Sequence, residues 1–523
     1  MKRSSTSRVA LLALAKVDLI LVISVNVGDV PAGLLACDAS FENIISGKGE
    51  YTLVGFDMPR ILLRIAHDMG LSARGIDLST AFVADTRKPS QISEVIAGRL
   101  FTGVDKAIVE GLSNDKEGAR EVCLRAWLAV CVAQNNAQAL EQVSRVDTAL
   151  LNQQKVECLG ELVRQAYALE DARPKETSSE FNRATLTKDG SLELLNSRYK
   201  TRVRRGPQVV IMTKEAGEEF SGQAHGAKGR TTNIKFTGQL LSGTLHKVRV
   251  IGSPQLTNPE KARDELVLHI LQGIANLKAP FITKLWFPTK RIQDLLGTGA
   301  SDALLFHDLN DSQKRVAAMM VSNAPLVIAH GPPGTGKTTT IAAAASKWDQ
   351  CQQPTWIVAH SNVAVKNIAE ALHKRNIDFK ILVSKEFHFE WHEHIYTEIQ
   401  QRVLRSDDFS GMKDNMGASS LIQGSHIILS TLSMLSNPGL DKAGVFREVP
   451  VEQLVIDEAS QIKIEDFLPI FHKFRKTLQK VCFFGDPKQL PPYGKENVPE
   501  IKTIFDLPHL KGCGEFLDTQ CAQ

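Results

Sequence analysis

Leu326-Val-Ile-Ala-His-Gly331-Pro332-Pro333-Gly334-Thr335-Gly336-Lys337-Thr338-Thr339-Thr340 is the stretch from which the rest of the chain can be read. The apolar run 326–329 predicts a buried strand, and Gly331-Pro332-Pro333 stops it. Ile341-Ala-Ala-Ala-Ala after Thr340 is a strong helix former. Between strand and helix lies G-x-x-x-x-G-K-T, the loop that cradles phosphate. Gly331, Gly334 and Gly336 let successive N–H groups converge on one anion, and the helix N-terminus adds partial positive charge. Residues 331–339 are therefore the candidate nucleotide-binding loop. Lys337 is expected to reach the outer phosphates, and the Thr338 hydroxyl to ligate Mg²⁺.

A chain of 523 residues is too long for one core. The net charge of +4 makes any nucleic-acid surface a local patch. Eight scattered cysteines, none in a C-x-x-C pair, argue against zinc and disulfide frameworks and for a reducing compartment, cytoplasmic or nuclear. Basic residues 1–8 followed by apolar 9–15 have the look of a short signal peptide. Apolar character resumes at Leu19–Ile23, which favours buried core segments instead. No apolar stretch reaches the ~20 residues that span a bilayer, so no membrane partner is expected.

Further strand candidates, Trp356–Ala359, Ile427–Ser430, Leu454–Ile456 and Val481–Phe484, alternate with helical stretches. That alternation predicts an α/β, RecA-like layered domain over 305–523 with a parallel sheet. Leu454-Val-Ile-Asp457-Glu458 ends a buried strand in two carboxylates. Asp457 is expected to hold Mg²⁺ through water, and Glu458 to orient and deprotonate the attacking water. Gly485-Asp-Pro-Lys-Gln489-Leu-Pro-Pro follows at the end of the next strand.

These residues resemble the motifs of superfamily 1 helicases, and most closely the Upf-like subgroup, which contains the nonsense-mediated-decay RNA helicase. By that resemblance Gln489 senses the γ-phosphate and couples it to the nucleic-acid path. Leu309-Asn-Asp-Ser-Gln313 resembles the Q motif, whose glutamine reads adenine, which implies ATP. Ile357-Val-Ala-His-Ser361-Asn362 and Ser430-Thr431-Leu-Ser433 resemble turns that touch the backbone of single-stranded RNA or DNA, with Ser361, Asn362 and Thr431 as the contacting residues. Protein partners in an RNA-processing complex are a further expectation. The family uses a second RecA-like lobe that supplies catalytic arginines. The given residues stop at Leu517-Asp-Thr-Gln-Cys-Ala-Gln523, within what resembles the opening of the next motif. Weak or no hydrolysis by this chain alone is therefore expected, and a protein that uses ATP only as a conformational ligand is the alternative reading.

Upstream, residues 191–256 carry eleven basic against three acidic residues from position 198 onward, Arg204 and Arg205 among them. Short strand candidates separated by glycine-rich turns predict a small basic β-barrel that contacts nucleic acid. Residues 257–304 read as a helical connector, and 169–190, polar and without periodicity, as a linker. Residues 1–168 read as an α/β domain. Its Leu53-Val-Gly-Phe-Asp57-Met-Pro-Arg-Ile61 through Asp68, with Gly75-Ile-Asp77-Leu, resembles the second motif region of DEDD-type 3′–5′ exonucleases, which are ribonuclease-H-like. The first strand offers only Asp18, and Ala126–Cys131 lacks the Tyr and Asp of the third motif. The expectation is a degenerate, non-catalytic relic or an unrelated α/β domain.

Overall fold

The structure is a computed structural model that describes residues 11–16, 19–24, 39–47, 51–82, 95–96, 99, 119–173, 176–179, 181–187, 191–196, 208–213, 219–228, 231–236, 245–251, 256–288, 306–384, 399–409 and 415–518. The chain divides into two compact units. One holds most of residues 1–276, and the other most of 277–523.

In the first unit, β1 (Leu11–Lys16) and β2 (Leu19–Ser24) form an antiparallel hairpin. The apolar N-terminal run thus lies in paired strands. A separate three-stranded sheet is built from β3 (Leu53–Gly55), β4 (Arg74–Asp77) and β5 (Val146–Asp147). β3 and β4 are parallel, and β5 is antiparallel to β4. Helix α1 (Met58–Met69) makes the β3–β4 crossover. It opens on Asp57 in the left-handed region and closes on Gly70. Leu62, Leu63, Ile65 and Ala66 bury one face of it, as a 3.6-residue period requires. Helices α2 (Ala119–Asn135) and α3 (Gln153–Asp171) complete this module.

The carboxylates that carry the exonuclease resemblance are engaged within the protein. Buried Asp77 accepts from Ser79 N, Ser79 Oγ and Met58 N, at 2.8, 2.6 and 3.1 Å. Asp57 accepts from the Tyr167 hydroxyl at 2.9 Å. Among the described residues no group of three or more His, Cys, Asp or Glu could hold a metal.

Seven antiparallel strands follow: β6 (Glu176–Ser179), β7 (Phe181–Leu186), β8 (Leu192–Asn196), β9 (Gln208–Thr213), β10 (Glu219–Lys228), β11 (Thr231–Phe236) and β12 (Leu245–Ile251). Their order in the sheet is β6-β12-β9-β10-β11-β8-β7. Leu192, Leu194, Thr232 and Ile234 face inward while Glu193 and Lys235 face out, the two-residue alternation of a half-buried sheet. Two expectations change here. The stretch read as a linker, 169–190, holds the end of α3 and both edge strands. Polar residues suit an edge, where one face is solvated, so its composition reads as loop. The strands form a sheet with β6 and β7 at its two edges, and the described pairings do not close it into a barrel. Arg204 and Arg205 lie outside the described residues.

The connector contains α4 (Asn258–Leu271) and α5 (Pro280–Trp286). The second unit is built on eight strands, β13 (Leu326–His330), β14 (Thr355–Ala359), β15 (Lys380–Val383), β16 (Val403–Arg405), β17 (Ile427–Thr431), β18 (Gln453–Asp457), β19 (Lys480–Gly485) and β20 (Glu515–Phe516). All pairings are parallel, in the order β16-β15-β17-β14-β18-β19-β13-β20. Central strands are buried at every position, because helices cover both faces. Among these helices are α6 (Asp311–Val321), α7 (Lys337–Gln350) and α8 (Asn362–Lys374). Ile341, Ala342, Ala344, Ala345 and Trp348 of α7 join Phe379, Val455 and Phe484 in one core. Small alanines let this helix lie close to the sheet, and that fixes where its N-terminus, the end of the phosphate loop, emerges.

Candidate nucleotide-binding site

The carboxyl edge of the parallel sheet collects the chemistry. Asp457 ends β18 and pairs across to Ala359, the last residue of β14, which pairs to Thr431, the last of β17. On the other side, His330 of β13 pairs with Gly485 of β19. The phosphate loop, the acidic pair and the turn after Gly485 therefore lie along one row. Ser361 and Thr431 stand past β14, further along the same edge.

Between β13 and α7 the loop turns through Gly334 and Gly336, at φ 78° and 79°. Such angles favour glycine. Gly331 is close-packed: a Cβ there would lie 2.7 Å from the Lys337 side chain. Lys337 Nζ donates to Gly331 O at 2.9 Å and lies 3.5 Å from Glu458 Oε1. The lysine is thus folded back across the loop, bridging to the acidic pair. Thr338 is half-buried at the helix start, and Pro332, Pro333 and Thr339 lie on the loop's outer side.

Asp457 is buried. Burial, and next the charge of Glu458, push its carboxyl up to about 6, against the opposing pull of Lys337. The Glu458 N–H donates to Asp457 Oδ1 at 2.9 Å. Glu458 itself sits at φ 52°, and its buried Oε2 has no hydrogen-bond partner. Two adjacent carboxylates, one with an orphaned oxygen, suit a divalent cation. Asp457 with the Thr338 hydroxyl would hold Mg²⁺, which binds few protein groups and otherwise keeps water and substrate phosphates. The cation would supply charge neutralisation for the phosphates and the carboxylate pair.

The turn after β19 is wound on Asp486. Its carboxylate accepts from Lys488 N at 3.0 Å and from Gln489 Nε2 at 3.3 Å. Gly331 N donates to Gly485 O at 3.1 Å, joining this turn to the phosphate loop. Gln313, at the N-terminus of α6, reaches the same loop through Thr335 O. Ser361 caps α8 by accepting from Ala364 N at 3.2 Å, Asn362 begins that helix, and Thr431 Oγ1 lies 3.0 Å from Ser433 Oγ.

Three contributors escaped the sequence reading. Asn310 and Gln313 form a reciprocal helix cap; the N-x-x-Q spacing before a helix was its signal. The His330 ring stacks on Phe516 with centroids 4.8 Å apart and packs against Phe505 at 4.9 Å, fastening β20 to the start of the loop. Ser460, buried just after the acidic pair, has an unpartnered hydroxyl.

Residues 308–500 match the family model described as an AAA domain. The DNA polymerase alpha-associated DNA helicase A of Saccharomyces cerevisiae is 25% identical over 312 residues, covering 50% of this chain and 41% of that protein. The DNA replication ATP-dependent helicase/nuclease DNA2 of Gallus gallus is 26% identical over 191 residues, 36% of this chain and 18% of that one. An uncharacterized ATP-dependent helicase of Methanocaldococcus jannaschii is 39% identical over 82 residues, 15% and 12% of the two chains. This stretch is a superfamily 1 helicase-type ATPase domain. The chain spans less than half the length of these three relatives. No helix among the described residues is long and apolar enough to cross a membrane. Within the helicase-type domain, the phosphate loop, the acidic pair and the Gly485–Gln489 turn are one assembly. Ser361, Asn362 and Thr431 belong to the same sheet edge but lie apart from it.

Proposed function

We propose that this protein binds Mg·ATP at the loop 331–339 and couples its hydrolysis to single-stranded nucleic acid held along the same sheet edge. The observation that carries this is Lys337, bonded to Gly331 O and facing Glu458. In this reading Lys337 holds the outer phosphates, Thr338 and Asp457 hold the metal, and Glu458 orients the attacking water and takes its proton. Gln489 reports the γ-phosphate to the strand-binding edge. Ser361, Asn362 and Thr431 receive the strand's phosphates, and Arg204 and Arg205 add charge from the basic segment. Membership of the Upf-like subgroup is supported by the Gly485–Pro492 run and by a β-rich segment ahead of the core. The exonuclease likeness of the N-terminal module is best read as a relic, since Asp57 and Asp77 are spent on bonds within the protein.

The test is phosphate release from Mg·ATP with and without single-stranded RNA or DNA. Strand-stimulated turnover that Lys337→Ala lowers by about 100-fold or more supports the proposal. Tight ATP binding without turnover establishes the alternative, ATP as a conformational ligand. Absence of binding refutes both.

A further inference from the structure

Gln313 shapes the phosphate loop, and its role is inferred here on the footing of the nucleotide-site reading. By resemblance Gln313 reads adenine. In the structure both polar ends of its buried side chain are spent on the protein: Oε1 accepts from Asn310 N at 3.2 Å, and Nε2 donates to Thr335 O at 3.0 Å. Asn310 Oδ1 returns a cap to Gln313 N at 2.9 Å. Thr335 is tied inward as well, its Oγ1 donating to Pro332 O at 2.8 Å. A continuous run of bonds thus leads from the start of α6 into the arch of the phosphate loop.

The peptide joining Thr335 to Gly336 is planar and trans, so its C=O and N–H point in opposite directions. Pinning Thr335 O to Gln313 fixes the Gly336 N–H on the far side, away from α6. Without that pin a peptide next to glycine rotates freely, and its carbonyl can turn toward the anion that the loop must receive. We propose that Gln313 is a positioning residue that sets this peptide, and so prepares the loop for the triphosphate whatever base is attached. The gain is preorganisation: the loop's donors are aimed before the ligand arrives. An adenine edge that engaged Gln313 would have to displace one of the two bonds.

Gln313→Glu separates the roles. Glutamate still accepts from Asn310 N, so the helix cap survives, while its oxygen cannot donate to the Thr335 carbonyl. Binding of Mg·ATP and of Mg·tripolyphosphate, which has no base, is measured by displacement of a fluorescent nucleotide, together with native-state hydrogen exchange. The expected result is an equal loss of affinity for both ligands, about ten-fold for one lost hydrogen bond, with faster exchange confined to residues 331–338. Loss for ATP alone overturns the proposal in favour of base reading. Unchanged affinity for both, or faster exchange spread across 306–518, also overturns it. A wild-type protein that binds neither ligand removes the nucleotide-site reading itself, which is a different failure from an inert Q313E beside a binding wild type.

Discussion

Asp77 is a carboxyl group in the wrong solvent. It is buried at the end of β4, three donors hold it, and burial with the nearby Asp57 charge still raises it to about 6 from an ordinary 3.8. Folded protein therefore binds the proton more tightly than unfolded protein. The contribution to stability is complete below 3.8 and is lost as pH rises to about 6. A rise of that size corresponds to about 3 kcal/mol. Subtracting urea-unfolding curves of Asp77→Asn from wild type across pH 4–7 should reveal a loss of that order, flat above about 6; a pH-independent difference would rule the account out. Glu458 illustrates the opposite choice. A left-handed, non-glycine residue costs about 1–3 kcal/mol, and its side chain leaves one oxygen unpaired. Both costs fall on the residue assigned to activate water, where strain is expected to gather.

The turn after β19 shows how little room the site leaves. A Cβ on Gly485 would lie 2.9 Å from the Phe505 ring and 2.9 Å from Ser460 N. Gly485→Ala should destabilise the domain by about 1–3 kcal/mol, the usual cost of overpacking, as read by denaturant unfolding. It should also slow phosphate release, because Gly485 O holds Gly331 N and the turn carries Gln489. Full stability with normal turnover would mean that the packing is slack. How far such elements were legible depends on burial. The runs at 326, 356, 427, 454 and 481 announce themselves because strands covered on both faces must be continuously apolar. β16 and β20 span three residues and two residues, too short to carry a period, and only their neighbours define them. The edge strands within 169–190 were invisible for a related reason, since half of an edge is solvated and reads as loop. The loop, the acidic pair and Gln489 were legible as motifs. The double use of Gln313 was not, because Thr335 O is a backbone atom and leaves no mark on the sequence.

At the scale of the molecule, two kinds of surface are proposed to meet a nucleic-acid strand: hydroxyls and amides on the sheet edge, and charge on the segment around 204. Their salt dependence separates them. Arg204→Ala with Arg205→Ala should lower the slope of log K against log salt by about 1.4, from about 0.7 per phosphate contact on a single strand. Replacing Thr431 should weaken binding with little change in that slope. An unchanged slope in the arginine variant would take the basic segment off the strand's path. The order of the parallel sheet carries one more consequence, for the making of the protein. β13 leads into the phosphate loop, yet both its neighbours, β19 and β20, come from far later in the chain. On the ribosome its two bare edges must wait while everything through residue 516 is translated, roughly ten seconds or more at about 5–20 residues per second. For that interval an almost wholly apolar strand of the ATPase is a client for chaperones or for a neighbouring nascent chain.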